Sequence, residues 1–111
     1  QMQTLSQKPN IIYMLADDLG TGDISTYGGD LYKTPNIDNL AKNGMLFNNA
    51  YTVPLCGPSR ATILTGRYGF RTSAVNQDNV TKLRPADEIL TPSILKPAGY
   101  ASAMVGKWSQ F

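Results

Sequence analysis

A single cysteine, Cys56, stands at the head of the run Cys56-Gly57-Pro58-Ser59-Arg60-Ala61-Thr62-Ile63-Leu64-Thr65-Gly66-Arg67. Pro58 cannot donate a backbone hydrogen bond, and its fixed φ suits the first position of a helix. Ala61, Thr62, Ile63 and Leu64 can continue that helix, and Gly66 sits where a left-handed cap would close it. The pattern places Cys56 just ahead of a helix N-terminus, an end that presents N–H groups and positive partial charge to anions. Arg60 adds a permanent charge with a planar fork of donors near the same end. Residue chemistry therefore describes an anion site with a sulfur nucleophile in it. The ordinary alternative is a small buried cysteine that does nothing but pack.

Two further groups could do chemistry. Asp17-Asp18 sets two carboxylates side by side, an arrangement that is costly unless a cation or a proton neutralises it. Hard oxygen donors in a chain without histidine favour calcium or magnesium over zinc. The plainer reading makes one aspartate a ligand or cap and leaves the other solvated. Lys107, in Gly106-Lys107-Trp108, would be an ordinary solvated lysine in most sequences.

These groups need elements to carry them. Asn10-Ile11-Ile12-Tyr13-Met14-Leu15-Ala16 is a short apolar run bounded by Pro9 and the two aspartates, as expected of a strand buried on both faces. Met45 to Tyr51 and Tyr100 to Val105 read as a second and a third strand. Thr34-Pro35 opens a helix with Ile37, Leu40 and Ala41 on one face and Gly44 as its stop. Thr91-Pro92 repeats that opening, with Leu90, Ile94 and Ala98 on one face, Pro97 disturbing the last turn and Gly99 closing it. The glycine-rich stretch 19–29 and the polar stretch 68–87 read as loops, and Asn79-Val80-Thr81 matches a glycosylation acceptor. Strand–helix–strand units of this kind give parallel strands. Asp17-Asp18, Cys56 to Arg60 and Lys107 are then expected to converge on one sheet edge, where α/β folds place ligands.

Cys-x-Pro-Ser-Arg followed by x4-Thr-Gly-Arg, Cys56 to Arg67 here, resembles the signature of the sulfatase family. The resemblance implies an alkaline-phosphatase-like α/β fold, a mostly parallel sheet with flanking helices, of which residues 1–111 form the N-terminal part of one catalytic domain. It implies that Cys56 is oxidised to formylglycine by a formylglycine-generating enzyme that reads Cys56, Pro58 and Arg60. Leu15-Ala16-Asp17-Asp18-Leu19-Gly20 resembles the family's first metal-binding segment. Asp17, Asp18 and the modified Cys56 would then share Ca2+, or Mg2+, with a pair of ligands far downstream. Lys107 matches the family's sulfate-binding lysine. The histidine that follows it in the Gly-Lys-Trp-His pattern is replaced by Ser109, which cannot titrate near neutral pH.

The implied reaction is sulfate ester hydrolysis in two halves. One hydroxyl of the hydrated aldehyde attacks sulfur and the alcohol leaves; the second hydroxyl then loses its proton and sulfate is expelled. Cys56, Arg60 and Lys107 are the implied catalytic set, and Arg67 is expected to support the Cys56 helix. A phosphonate or phosphate monoester hydrolase of the same superfamily would use a similar constellation. A non-catalytic fragment is the reading from another class, favoured by Ser109 and the missing downstream ligands. A thiol enzyme with unmodified Cys56 lacks a histidine base.

At 41% hydrophobic and 16% charged residues, the composition suits a globular protein. A net charge of +2 is too small to point to nucleic acid. No apolar run approaches the ~20 residues that span a membrane. One cysteine excludes an internal disulfide. Residues 1–7 lack the pattern of a signal peptide, and Phe111 follows a strand-like segment with no closing helix, so the C-terminus reads as cut. The resemblance implies a periplasmic, secreted or lysosomal protein.

Overall fold

The computed structural model describes residues 8–76, 78–79, 83–84 and 86–108. The chain divides into two compact units, Gln1–Asn43 and Gly44–Phe111.

The first unit is built on one carboxylate. Asp38 lies in helix α1 (Pro35–Asn43), one turn inside its start. Its Oδ1 accepts from the Thr26 hydroxyl at 2.6 Å, the Thr26 N–H at 3.0 Å and the Thr34 hydroxyl at 2.9 Å. Its Oδ2 accepts from the Ser25 hydroxyl at 2.7 Å. Ser25 and Thr26 thereby fasten the 3-10 turn Ser25–Tyr27 to α1, and another 3-10 turn, Thr21–Asp23, precedes it. Gly28, at φ 90°, ends the second turn in the left-handed region. Gly29 follows so close to Gly22 that a Cβ there would run into the Gly22 carbonyl. The expected α1 is present, from Pro35 at its first position to the residue before Gly44.

The second unit is centred on helix α2 (Cys56–Thr65). Five consecutive residues, Gly57 to Ala61, are buried, so the first half of the helix is enclosed on all sides. Ala61, Ala74 and Leu83 form the apolar core, with Pro58 fully buried as well. Gly66 ends α2 at φ 65°, its N–H bonded to the Thr62 carbonyl, as the sequence predicts. One turn of helix, α3 (Gly69–Thr72), lies inside the stretch expected to be loop. A single turn is too short to carry a hydrophobic period, which is why the sequence conceals it. Helix α4 (Thr91–Leu95) continues into a 3-10 turn, Lys96–Ala98, and Gly99 closes it at φ 85°. Thr91 is inside α4 and not its cap, a place taken by Leu90. The Thr91 hydroxyl donates instead to the Leu64 carbonyl at 3.0 Å, one of the α2 carbonyls that the helix cannot satisfy itself.

The expected sheet is not formed among the described residues. Asn10 to Ala16, Met45 to Tyr51 and Tyr100 to Val105 run outside any helix or strand. Ile12, Met45 and Val105 are 82%, 76% and 99% exposed, so the faces that a sheet would bury stand open. A strand exists only through a neighbour's N–H and C=O groups, which a segment cannot supply to itself. Among the described residues no helix is long and apolar enough to cross a membrane. Asn79 uses its Oδ1 to accept from the Val75 and Asn76 N–H groups at 3.1 and 3.0 Å; Val80 and Thr81 of the acceptor motif lie outside the described residues.

Hydrogen bonds from the Thr26 side chain, then from Ser25, hold the Asp38 carboxyl below the ordinary aspartate range, with Thr34 and the Thr26 N–H adding to them against a partial burial cost. A depressed folded pKa contributes stability that is present above the unfolded value and lost as pH falls through the folded one. Acid should therefore loosen the 3-10 turn Ser25–Tyr27 from α1 as the pH drops below the ordinary aspartate range. Asp38→Asn should remove that step from a pH series of thermal unfolding; a step of unchanged size in the variant would show that another group causes it.

Candidate active site

Cys56 occupies the first position of α2, with Leu55 as the extended N-cap. The expectation that Cys56 lies just ahead of the helix is thus off by one residue, and Pro58 falls at the third position, not the first. Any first-turn position tolerates proline, because the N–H it lacks would have no partner within the helix. The first i→i−4 bond runs from the Ser59 N–H to the Leu55 carbonyl at 3.1 Å. The Ser59 hydroxyl donates to the Val53 carbonyl at 2.7 Å, which closes the turn ahead of Cys56 onto the helix. Cys56 itself is half-buried.

Lys107 comes to this helix end from 51 residues away, its Nζ 3.4 Å from the Cys56 Sγ. The Arg60 Nη1 donates to the Lys107 carbonyl at 2.7 Å, and Arg60 is only 8% exposed. Gly106 delivers Lys107 through φ 105°, a conformation that L side chains rarely adopt. Three of the predicted residues, Cys56, Arg60 and Lys107, are therefore brought together. Ser109 lies outside the described residues.

Arg67, expected to support the Cys56 helix, lies just beyond its end, and its side chain binds residues outside α2. Its Nη1 donates to both Glu88 carboxylate oxygens, at 2.8 and 2.7 Å, and its Nη2 donates to the Arg71 carbonyl at 3.3 Å. Sequence reasoning missed Glu88, which lies before α4 and signals nothing by spacing.

Asp17 and Asp18 belong to the first unit, at a bend, with Asp18 in the left-handed region at φ 53°. Both are exposed. The donor set is all oxygen and anionic, and so fits a hard divalent cation in kind. Among the described residues no group of three or more histidine, cysteine, aspartate or glutamate side chains is gathered for a metal. The pair can therefore supply part of a coordination shell and not the whole of one.

The chain matches the Sulfatase family over residues 9–111 and belongs to it. It is 45% identical to N-acetylgalactosamine-6-sulfatase of Homo sapiens over 113 residues, covering 92% of this chain and 22% of that protein. Arylsulfatase D of Homo sapiens is 43% identical over 112 residues, covering 93% of this chain and 19% of that protein. N-acetylglucosamine-6-O-sulfatase of Bacteroides thetaiotaomicron is 44% identical over 104 residues, covering 93% and 18%. No solved structure matches the chain. It spans about a fifth of the length of these relatives. Membership implies the alkaline-phosphatase-like fold, a metal ion and a formylglycine at the level of the family.

Two substitutions test the scaffold. A Cβ at Gly106 meets nothing within 4 Å, so Gly106→Ala should cost only the left-handed backbone, about 1–2 kcal/mol. Arg67→Ala strands a Glu88 side chain that is 7% exposed and should cost about 2 kcal/mol, allowing for the 43% exposure of Arg67. Urea unfolding measures both, and losses below about 0.5 kcal/mol would show that neither feature is under tension.

Proposed function

We propose that the protein to which this chain belongs is a sulfuric ester hydrolase whose nucleophile is generated from Cys56. The observation that carries this reading is the approach of the Lys107 Nζ to within 3.4 Å of the Cys56 Sγ at the start of α2. The Sγ stands in for the oxygen that formylglycine carries on the same Cβ. A hydrated aldehyde there supplies one hydroxyl to attack sulfur and a second through which sulfate is later released. The ammonium of Lys107 would hold negative charge on the attacking oxygen and on the sulfate oxygens. Arg60 adds a permanent positive charge one helical turn further in, and the helix end contributes its own partial charge.

Asp17 and Asp18 would hold the cation, Ca2+ or Mg2+, with position 56 as a further ligand. Bound there, the cation would lower the cost of a deprotonated hydroxyl. The modification itself requires a formylglycine-generating enzyme that oxidises Cys56 and reads Cys56, Pro58 and Arg60. Two of the relatives are named for the 6-sulfates of N-acetylated amino sugars, which makes that class of ester the first substrate to try, with aryl sulfates as the general probe. A periplasmic, secreted or lysosomal location accompanies this reading.

Mass spectrometry of the Cys56 peptide from full-length protein made in its own host should show an aldehyde. That protein should hydrolyse aryl sulfate in preference to aryl phosphate, and Cys56→Ala should abolish turnover. The isolated 111 residues should show no turnover, since no group of three or more metal-binding side chains is gathered among the described residues. A wholly retained thiol in active full-length protein would overturn the nucleophile, and preference for aryl phosphate would move the assignment to a phosphate or phosphonate hydrolase.

A further inference from the structure

A depression of about 320 Å³ opens at the far end of α2, lined by Arg71 and Thr72 of α3 and by Ser73 after them. Two ion pairs complete the lining, Arg67 with Glu88 and Arg84 with Asp87. At 10 residues α2 is about 15 Å long, so Arg67 stands well away from Cys56 at the opposite end. Every residue of the lining is polar or charged.

The charges are not evenly matched. Arg67 and Arg84 are neutralised by their carboxylates, whereas Arg71 has no carboxylate partner among the described residues. Its guanidinium lies 5.8 Å from the centroid of the Phe70 ring. Phe70 stacks in turn on Tyr68, with centroids 5.6 Å apart and planes within 9°. These rings are 72% and 69% exposed, so a stacked aromatic pair stands open beside one uncompensated cation.

That combination discriminates between ligands. A purely apolar ligand would leave the lining's donors and acceptors unpaired. A nucleic-acid strand calls for a run of unneutralised cations, and here one guanidinium is in excess. A sugar ring has C–H faces that lie on aromatic rings, and hydroxyl groups that donate to carboxylates and accept from guanidinium groups. The planar fork of Arg71 matches a planar carboxylate through two parallel bonds. The volume falls at the small end of the range for small-molecule pockets, about 300–1,000 Å³, which suits a short stretch of saccharide.

We infer that the depression and the Tyr68–Phe70 stack form a binding site for a uronate-bearing saccharide, apart from the Cys56 end of α2. Arg71 holds the carboxylate, the aromatic pair carries a sugar face, and Asp87 and Arg84 at the rim meet hydroxyl groups. Nothing is transformed there, so the site does not rest on the sulfate-ester reading.

Calorimetric titration of the full-length protein tests this with two hexasaccharides, hyaluronan, which alternates glucuronate with N-acetylglucosamine, and neutral chitin. Hyaluronan should bind at least about tenfold more tightly, the scale of one charge-assisted hydrogen-bonded pair. Arg71→Gln should remove that preference, and Tyr68→Ala should weaken both saccharides about tenfold. Both side chains are exposed, so each variant should unfold at the temperature of the parent protein. No binding at millimolar hyaluronan, or equal affinity for the neutral chain, would overturn the inference. So would binding that survives both substitutions, or that is lost in Lys107→Gln instead. Hyaluronan carries no sulfate ester, so these outcomes are separate from a failure to hydrolyse aryl sulfate, which would refute only the proposed function.

Discussion

The contact between the ammonium of Lys107 and the sulfur of Cys56 is the constraint on which the second unit depends. It joins residues 51 positions apart and exists only if α2 begins at one particular place. Several features secure that start. Ser59 ties the preceding turn to the helix through Val53. The run Gly57 to Ala61 is enclosed, so the helix end cannot slide without exposing Pro58 and Ala61. At the other end, Arg67 and Glu88 join the chain after α2 to the segment before α4, and Thr91 takes up a terminal carbonyl. The helix is thus supported from both ends, and its first turn is the part left to do chemistry.

The first unit follows a similar logic with the opposite charge. Asp38 gathers hydroxyl and amide donors from Ser25, Thr26 and Thr34, and so orders a glycine-rich segment that has little apolar content of its own. That segment follows directly on Asp17-Asp18. A half-buried network of this kind holds best while complete, because its donors share one acceptor group. The chain belongs to the sulfatases, a family whose membership implies a metal ion.

Helices were the legible part of this fold. Pro35, Gly66 and Gly99 mark ends that the structure reproduces, because a helix satisfies its hydrogen bonds locally and its caps are set by single residues. The apolar runs from Asn10, Met45 and Tyr100 predicted strands that do not form among the described residues, since pairing depends on partners that local sequence does not contain. The residues of the candidate site stood out for a different reason. Cys56, Pro58, Arg60 and Lys107 sit in motifs whose chemistry is recognisable one residue at a time. Glu88 and the Arg60–Lys107 hydrogen bond were not legible, since both are long-range contacts between residues that look ordinary in isolation.

A high-resolution crystal structure of the full-length protein with sulfate bound would test the central claim most directly. The account predicts an oxygen-bearing side chain at position 56 with the Lys107 Nζ within hydrogen-bond reach of both that oxygen and the sulfate, and Arg60 bonded to the Lys107 carbonyl. An unmodified cysteine packed in the interior, with Lys107 turned away from it, would contradict the account.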